Sequence, residues 1–138
     1  MRILMSGASG FIGSALRRAL QQADHEVSAL TRSAPPGSSA VWWDPAAGEL
    51  DPDSVDGFDA VVHLAGEGIG DRRWNEAHKR RVRDSRIQGT SLLSRTLGEL
   101  DQPPQNWVAL EVLIFDNFGT RTVFSNDLKV GKSKRVRR

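Results

Sequence analysis

Hydrophobic and polar positions follow two rhythms along this chain. A short apolar run from Arg2 to Ser6 leads into a glycine-rich loop. Beyond the loop, Ile12, Ala15, Leu16, Ala19 and Leu20 recur at spacings of three and four. The run predicts a buried strand, and the spacing predicts a helix with one apolar face that ends near Ala23 and Asp24. The same alternation continues downstream. EVSALTR, residues 26–32, reads as a second strand that stops in the loop SAPPGSS, and Val41 to Trp43 reads as a short third strand. The turn-rich stretch DPAAGELDPDSVDGFD leaves room for one helical turn. DAVVHLAG then supplies a fourth strand with a continuous apolar centre.

From about Trp74 to Leu100 the pattern predicts one long helix. Trp74, Ala77, Val82, Ser85, Gly89, Leu92, Leu93, Thr96, Leu97 and Leu100 form its stripe of apolar and small residues, and the opposite face is charged. Pro103 and Pro104 end the helix, and WVALEVLIF, residues 107–115, is apolar enough for a fifth buried strand. Strands separated by helices imply parallel pairing through right-handed crossovers. The expected architecture is a doubly wound α/β domain of three layers, α/β/α, with strand order 3-2-1-4-5. It is expected to occupy residues 1–115, followed by a divergent basic tail, 116–138, expected to be poorly ordered.

Composition supports a folded chain: 38% of its 138 residues are apolar and 26% charged, a globular balance. With no cysteine, the chain offers no disulfide, thiolate metal site or cysteine nucleophile, and a cytoplasmic location is expected. No apolar run approaches the roughly 20 residues that cross a bilayer, so no membrane partner is expected. The net charge of +2 is unevenly spread, with +5 in residues 127–138 and −3 in the rest. Basicity confined to the terminal KVGKSKRVRR reads as a solvated end, so nucleic acid is not an expected partner.

In an open sheet of this order, ligands bind beyond the carboxyl ends of the strands where the order reverses, which here is the end of the first strand beside the fourth. Gly7, Gly10 and Gly13 sit at that point. Gly7 suits a tight turn off the strand, Gly10 allows backbone to approach a pyrophosphate, and Gly13 allows the helix to lie close. Unpartnered N–H groups at the helix start then face the phosphates. Three spaced glycines could merely build a turn, but a preceding strand and a following helix are the context the motif requires. Ser9 lies outside any nucleophile elbow and reads as a hydroxyl near phosphate. At the end of the second strand, a carboxylate would bind the ribose of NAD. Thr31 and Arg32 stand there instead and suit a 2′-phosphate, which favours NADP over NAD.

SGASGFIG at 6–13, HLAGE at 63–67, DRRW at 71–74 and RDSRIQGT at 83–90 together resemble the extended, atypical short-chain dehydrogenase/reductases. The resemblance covers about residues 1–108. It is closest to the NAD-dependent epimerase/dehydratase-like proteins grouped as nucleoside-diphosphate-sugar epimerases or cell-division-inhibitor-like proteins. It implies that the loop holding Gly7, Ser9, Gly10, Phe11, Ile12 and Gly13 surrounds the pyrophosphate. It further implies that Leu64, Ala65 and Gly66 lie along the cofactor and that Trp43 and Asp44 lie near the adenine. A nucleotide-sugar or carbonyl substrate is the implied partner. The family's catalytic tyrosine and lysine pair has no match here, because the chain contains no tyrosine. After Val108 the sequence departs from the family pattern, and the chain is expected to be truncated before a substrate-binding portion. No catalytic position is carried over, which leaves open a catalytically silent nucleotide-sensing or interaction domain.

Other residues read more plainly. Glu67 could face the cofactor or solvent. Arg72, Arg73, Lys79, Arg80, Arg81, Arg83 and Arg86 are interleaved with Asp71, Glu76 and Asp84 and read as a paired outer helix face. Trp74 is expected to pack in the stripe. His25, His63 and His78 lack metal-ligand spacing, and each reads as a loop, strand or surface histidine rather than a ligand.

Overall fold

A computed structural model describes residues 1–70 and 73–109 of the chain. β1 (Arg2–Ser6), β2 (Glu26–Thr31), β3 (Val41–Trp42), β4 (Ala60–His63) and β5 (Asn106–Ala109) form one parallel sheet. Its order is β3-β2-β1-β4-β5, as the alternation of patterns implied. The third strand is one residue shorter than read, and residues 110–115 of the expected fifth strand and the whole 116–138 tail lie outside the described residues.

β1 is the centre of the sheet because both its faces are buried. Ile3 and Met5 join Val27 and Ala60 against Leu16 and Leu20 of α1 (Phe11–Gln22). On the other face, Leu4 packs with Leu30, Trp43 and Val61. Val55 of α2 (Pro52–Val55) and Leu92, Leu93 and Leu97 of α3 (Glu76–Glu99) close that side. Full burial of a Leu or Met side chain stabilises by about 1.5–3 kcal/mol, so this two-sided strand anchors the three layers. Among the described residues, no helix is long and apolar enough to cross a membrane.

Local signals set the helix ends. Asp24 adopts the left-handed region at φ 59°, and His25 N–H returns to the Leu20 carbonyl at 3.0 Å, closing α1. Asp51 caps α2 by accepting from Asp53 N–H at 3.0 Å, with Pro52 in the first helical position. Asn75 caps α3 by accepting from His78 N–H at 2.8 Å.

Two sequence expectations about helix phase are corrected. Because Asn75 occupies the cap, Trp74 precedes α3, and both Trp74 and Ala77 are exposed. The buried stripe starts instead at His78, which the expected stripe left out, and continues through Val82 and Gly89 to Leu97. Of the expected α1 face of Ile12, Ala15, Leu16, Ala19 and Leu20, Leu16 and Leu20 pack against the sheet, whereas Ile12, Ala15 and Ala19 are exposed. The face turned inward is Gly13, Leu16, Arg17 and Leu20, itself spaced by three and four. Both phases satisfy helical periodicity. Contact between Gly13 and the preceding loop selects one.

Candidate functional site

The site starts from the turn off β1. Gly7 has φ +69°, and a Cβ there would lie 2.8 Å from the Leu64 carbonyl carbon and 2.9 Å from Ala65 N. The turn can therefore lie directly against the backbone after β4 only with glycine at this position. A Cβ on Gly13 would overlap the Gly7 carbonyl oxygen and lie 2.9 Å from the Gly7 carbonyl carbon, so α1 begins in direct contact with the turn. Gly10 stands at the helix cap with no side-chain oxygen to occupy the first-turn N–H groups. Its own N–H donates to Gly7 O at 3.0 Å.

Strand ends β1 and β4 are joined by a buried polar cluster that the sequence did not reveal. Ser6 Oγ accepts from Leu64 N–H and from Ala65 N–H, each at 3.2 Å. Its single proton then donates to His63 Nδ1 at 2.6 Å, which fixes His63 as the neutral tautomer with hydrogen on Nε2. The ring is 3% exposed and meets the edge of Trp43 with centroids 5.7 Å apart. Burial, reinforced by the positive charge of Arg86, lowers its pKa from 6.5 to about 4. Ser6 and His63 share a sheet face because β1 and β4 pair them in register, Ser6 opposite His63.

The loop after β4 is held down by α3. Ser85 Oγ accepts from Glu67 N–H at 2.9 Å, and Arg86 donates to Glu67 O at 3.2 Å. His78 Nε2 lies 3.2 Å from Ile69 O. Much of the charged outer face is paired as expected, with Lys79 on Glu76 at 2.9 Å and Arg83 on Asp84 at 3.0 Å. Arg86 instead turns in toward this loop, and Asp71 and Arg72 lie outside the described residues.

These parts border a cleft of about 700 Å³ over the point where the strand order reverses. That volume is in the range of small-molecule sites. The cleft brings together Gly7, Ser9, Gly10, Arg32, Leu64, Ala65 and Gly66 from the sequence-derived set. Gly13 lies behind the turn. Phe11, 96% exposed, and Ile12 point their side chains away from the core, and neither borders the cleft. Trp43 borders it from within the core, and Asp44 borders it with a carboxylate that accepts from Ala46 and Ala47 N–H. Glu67, the other acid bordering the cleft, is 3.6 Å from Arg81. Arg17 also borders the cleft and was not anticipated. Its signal was its position four residues after Gly13, on the same helical face.

A parallel sheet of this order, with a glycine turn and a helix start facing a cleft at its switch point, defines the class of nucleotide-binding α/β domains. Within that class, the chain belongs to the NAD dependent epimerase/dehydratase family, which matches residues 3–103. An epimerase family protein of Mycobacterium bovis is 45% identical over 97 residues, covering 70% of this chain and 32% of that protein. Human epimerase family protein SDR39U1 is 41% identical over 110 residues, covering 78% and 36%. The solved structure of human SDR39U1 with NADPH superposes with a TM-score of 0.65 at 40% identity, over 79% of this chain and 36% of that one. A nucleoside-diphosphate sugar epimerase from Corynebacterium glutamicum superposes at 0.62 with 34% identity, over 79% and 22%. The chain spans about a third of the length of the curated relatives it matches.

Proposed function

We propose that this chain is the dinucleotide-binding part of an epimerase-like short-chain dehydrogenase/reductase and that it binds NADP(H) in preference to NAD(H). One observation carries the reading: the glycine turn after β1 is set against the Leu64–Ala65 backbone so closely that a Cβ on Gly7 would collide with it. That cradle fits a pyrophosphate, which the bare N–H groups at the start of α1 would receive. Gly7, Ser9 and Gly10 would border the diphosphate. Leu64, Ala65 and Gly66 would lie along the cofactor, with Ser6 and His63 holding their backbone in place. When bound, the dinucleotide supplies or accepts a hydride.

The preference for NADP rests on the end of β2. Thr31 Oγ1 accepts from Ser33 N–H at 3.2 Å, and the exposed side chain of Arg32 borders the cleft. Among the described residues, no carboxylate lies within 4.0 Å of the Arg32 guanidinium. NADPH bound to the related human protein agrees with this assignment. A nucleotide sugar, in keeping with the Corynebacterium glutamicum relative, or a carbonyl compound is the proposed substrate class. A cytoplasmic setting suits the cysteine-free sequence.

Titration with NADPH and NADH, followed by tryptophan fluorescence, tests the reading because Trp43 borders the cleft. NADPH is expected to bind the tighter of the two. Arg32→Ala should weaken NADPH by about tenfold or more, the scale of a lost charge-assisted hydrogen bond, and leave NADH nearly unchanged. Equal losses for the two would remove the NADP assignment. NADPH consumption with carbonyl or nucleotide-sugar substrates then separates a hydride-transfer domain from a silent nucleotide-sensing one.

A further inference from the structure

We infer that Arg17 is a second reader of the 2′-phosphate, acting from α1 together with Arg32 at the end of β2. The inference deepens the NADP reading above and rests on it. Arg17 lies four residues beyond Gly13, so it shares the helical face that Gly13 presses against the glycine turn. The inward phase of α1 therefore carries a long cationic side chain toward the sheet, where an apolar residue would ordinarily sit. Its neighbour Arg18, one position round the helix, is exposed.

Three observations give Arg17 a ligand to meet. It borders the cleft together with Ala29, Thr31 and Arg32 at the end of β2. Its Nε is buried and has no hydrogen-bond partner, a costly state for a strong donor. Among the described residues, no carboxylate lies within 4.0 Å of its guanidinium, although the acids bordering the cleft, Asp44 and Glu67, have partners of their own. An unpaired guanidinium with a stranded donor is complementary to an anion with several oxygens. A phosphate can accept from two arginine forks together.

Position along the helix decides which phosphate. The diphosphate belongs at the N-terminus of α1, at Gly10, whereas Arg17 is nearly two turns further along this helix, which packs on β2, and its side chain borders the same cleft as Thr31 and Arg32. In this fold the end of β2 is where the adenosine ribose lies. Arg32 and Arg17 thus bracket the 2′ position from β2 and from α1.

The test compares wild type, Arg17→Met, Arg17→Lys and Arg32→Ala in fluorescence titrations with NADPH, NADH and 2′,5′-ADP, with circular dichroism as the check on folding. Methionine keeps the length and packing of the side chain without the charge. Arg17→Met should weaken NADPH and 2′,5′-ADP by about tenfold or more and leave NADH within about twofold, and Arg17→Lys should recover part of the loss. If wild type prefers NADPH and Arg32→Ala erodes that preference while Arg17→Met does not, the role of Arg17 is overturned and the NADP reading stands. Equal loss of NADPH and NADH in Arg17→Met would place the side chain on the shared part of the cofactor and also overturn it. No preference in wild type would overturn the NADP reading itself and this inference with it. Should Arg17→Met fail to fold, Arg17→Lys decides alone. A selective loss of NADPH supports the role, and an unchanged ratio overturns it.

Discussion

Replacing Gly13 with alanine is expected to cost about 3 kcal/mol of stability and to remove dinucleotide binding, because a methyl group there overlaps the Gly7 carbonyl oxygen. Alanine gains only about 1 kcal/mol of helix propensity over glycine, so the steric term wins. Relief requires α1 to move off the turn, which would also disturb the first-turn N–H groups. Gly10→Ala is the informative contrast. Within 4 Å its Cβ would meet only the Gly7 oxygen, at 3.3 Å, and the position has an ordinary φ of −73°. Its stability should fall by about 1 kcal/mol or less while affinity for NADPH falls at least tenfold. Urea unfolding and fluorescence titration of the two variants measure both quantities. A Gly13→Ala protein as stable as wild type would refute the close contact. A Gly10→Ala protein that binds normally would refute the cradle.

Lowering the pH from 7.5 to 5 should cost the protein about 2 kcal/mol through His63 alone. The folded-state pKa is depressed to about 4, and the unfolded ring titrates near 6.5. Between these values the unfolded state binds the extra proton. The contribution of His63 is therefore complete above about pH 6.5, declines as pH falls, and is lost once pH passes below the folded value. The structural reason lies in the cluster. A protonated ring would bring an N–H at Nδ1 toward Ser6 Oγ, which already accepts from Leu64 and Ala65, and would stand near Arg86 in a buried place. His63→Leu cannot ionise, so its urea midpoint should fall less than that of wild type between pH 7.5 and 5. Carboxylates titrate in both proteins and cancel in the comparison. Identical pH dependence in the two proteins would show that His63 does not carry the effect.

Much of the fold was legible because it is written in local patterns. The apolar run of β1, the glycine turn and the restart of helical spacing within 20 residues define a strand–turn–helix unit, and its repetition implies parallel pairing and the observed strand order. The glycines of the candidate site were legible for the same reason. Helix phase was not. The apolar set Ile12, Ala15, Leu16, Ala19 and Leu20 of α1 spans a wide arc with two edges, and only the edge of Leu16 and Leu20, beside Gly13, turns inward. Apolar spacing alone has no way to rank them, since exposed alanines and isoleucines carry little penalty. Trp74 likewise matched the α3 stripe by spacing, until Asn75 took the cap and left it outside the helix.

The sequence by itself determined the order of elements, the parallel sheet and the location of the glycine turn, because each follows from neighbours within a few residues. Only the tertiary structure decided that Arg17 enters the cleft, that His78 is buried and that Ser6 meets His63 across 57 positions of chain. Those outcomes depend on which surfaces come together in three dimensions, and burial and hydrogen-bond satisfaction are settled only at that contact.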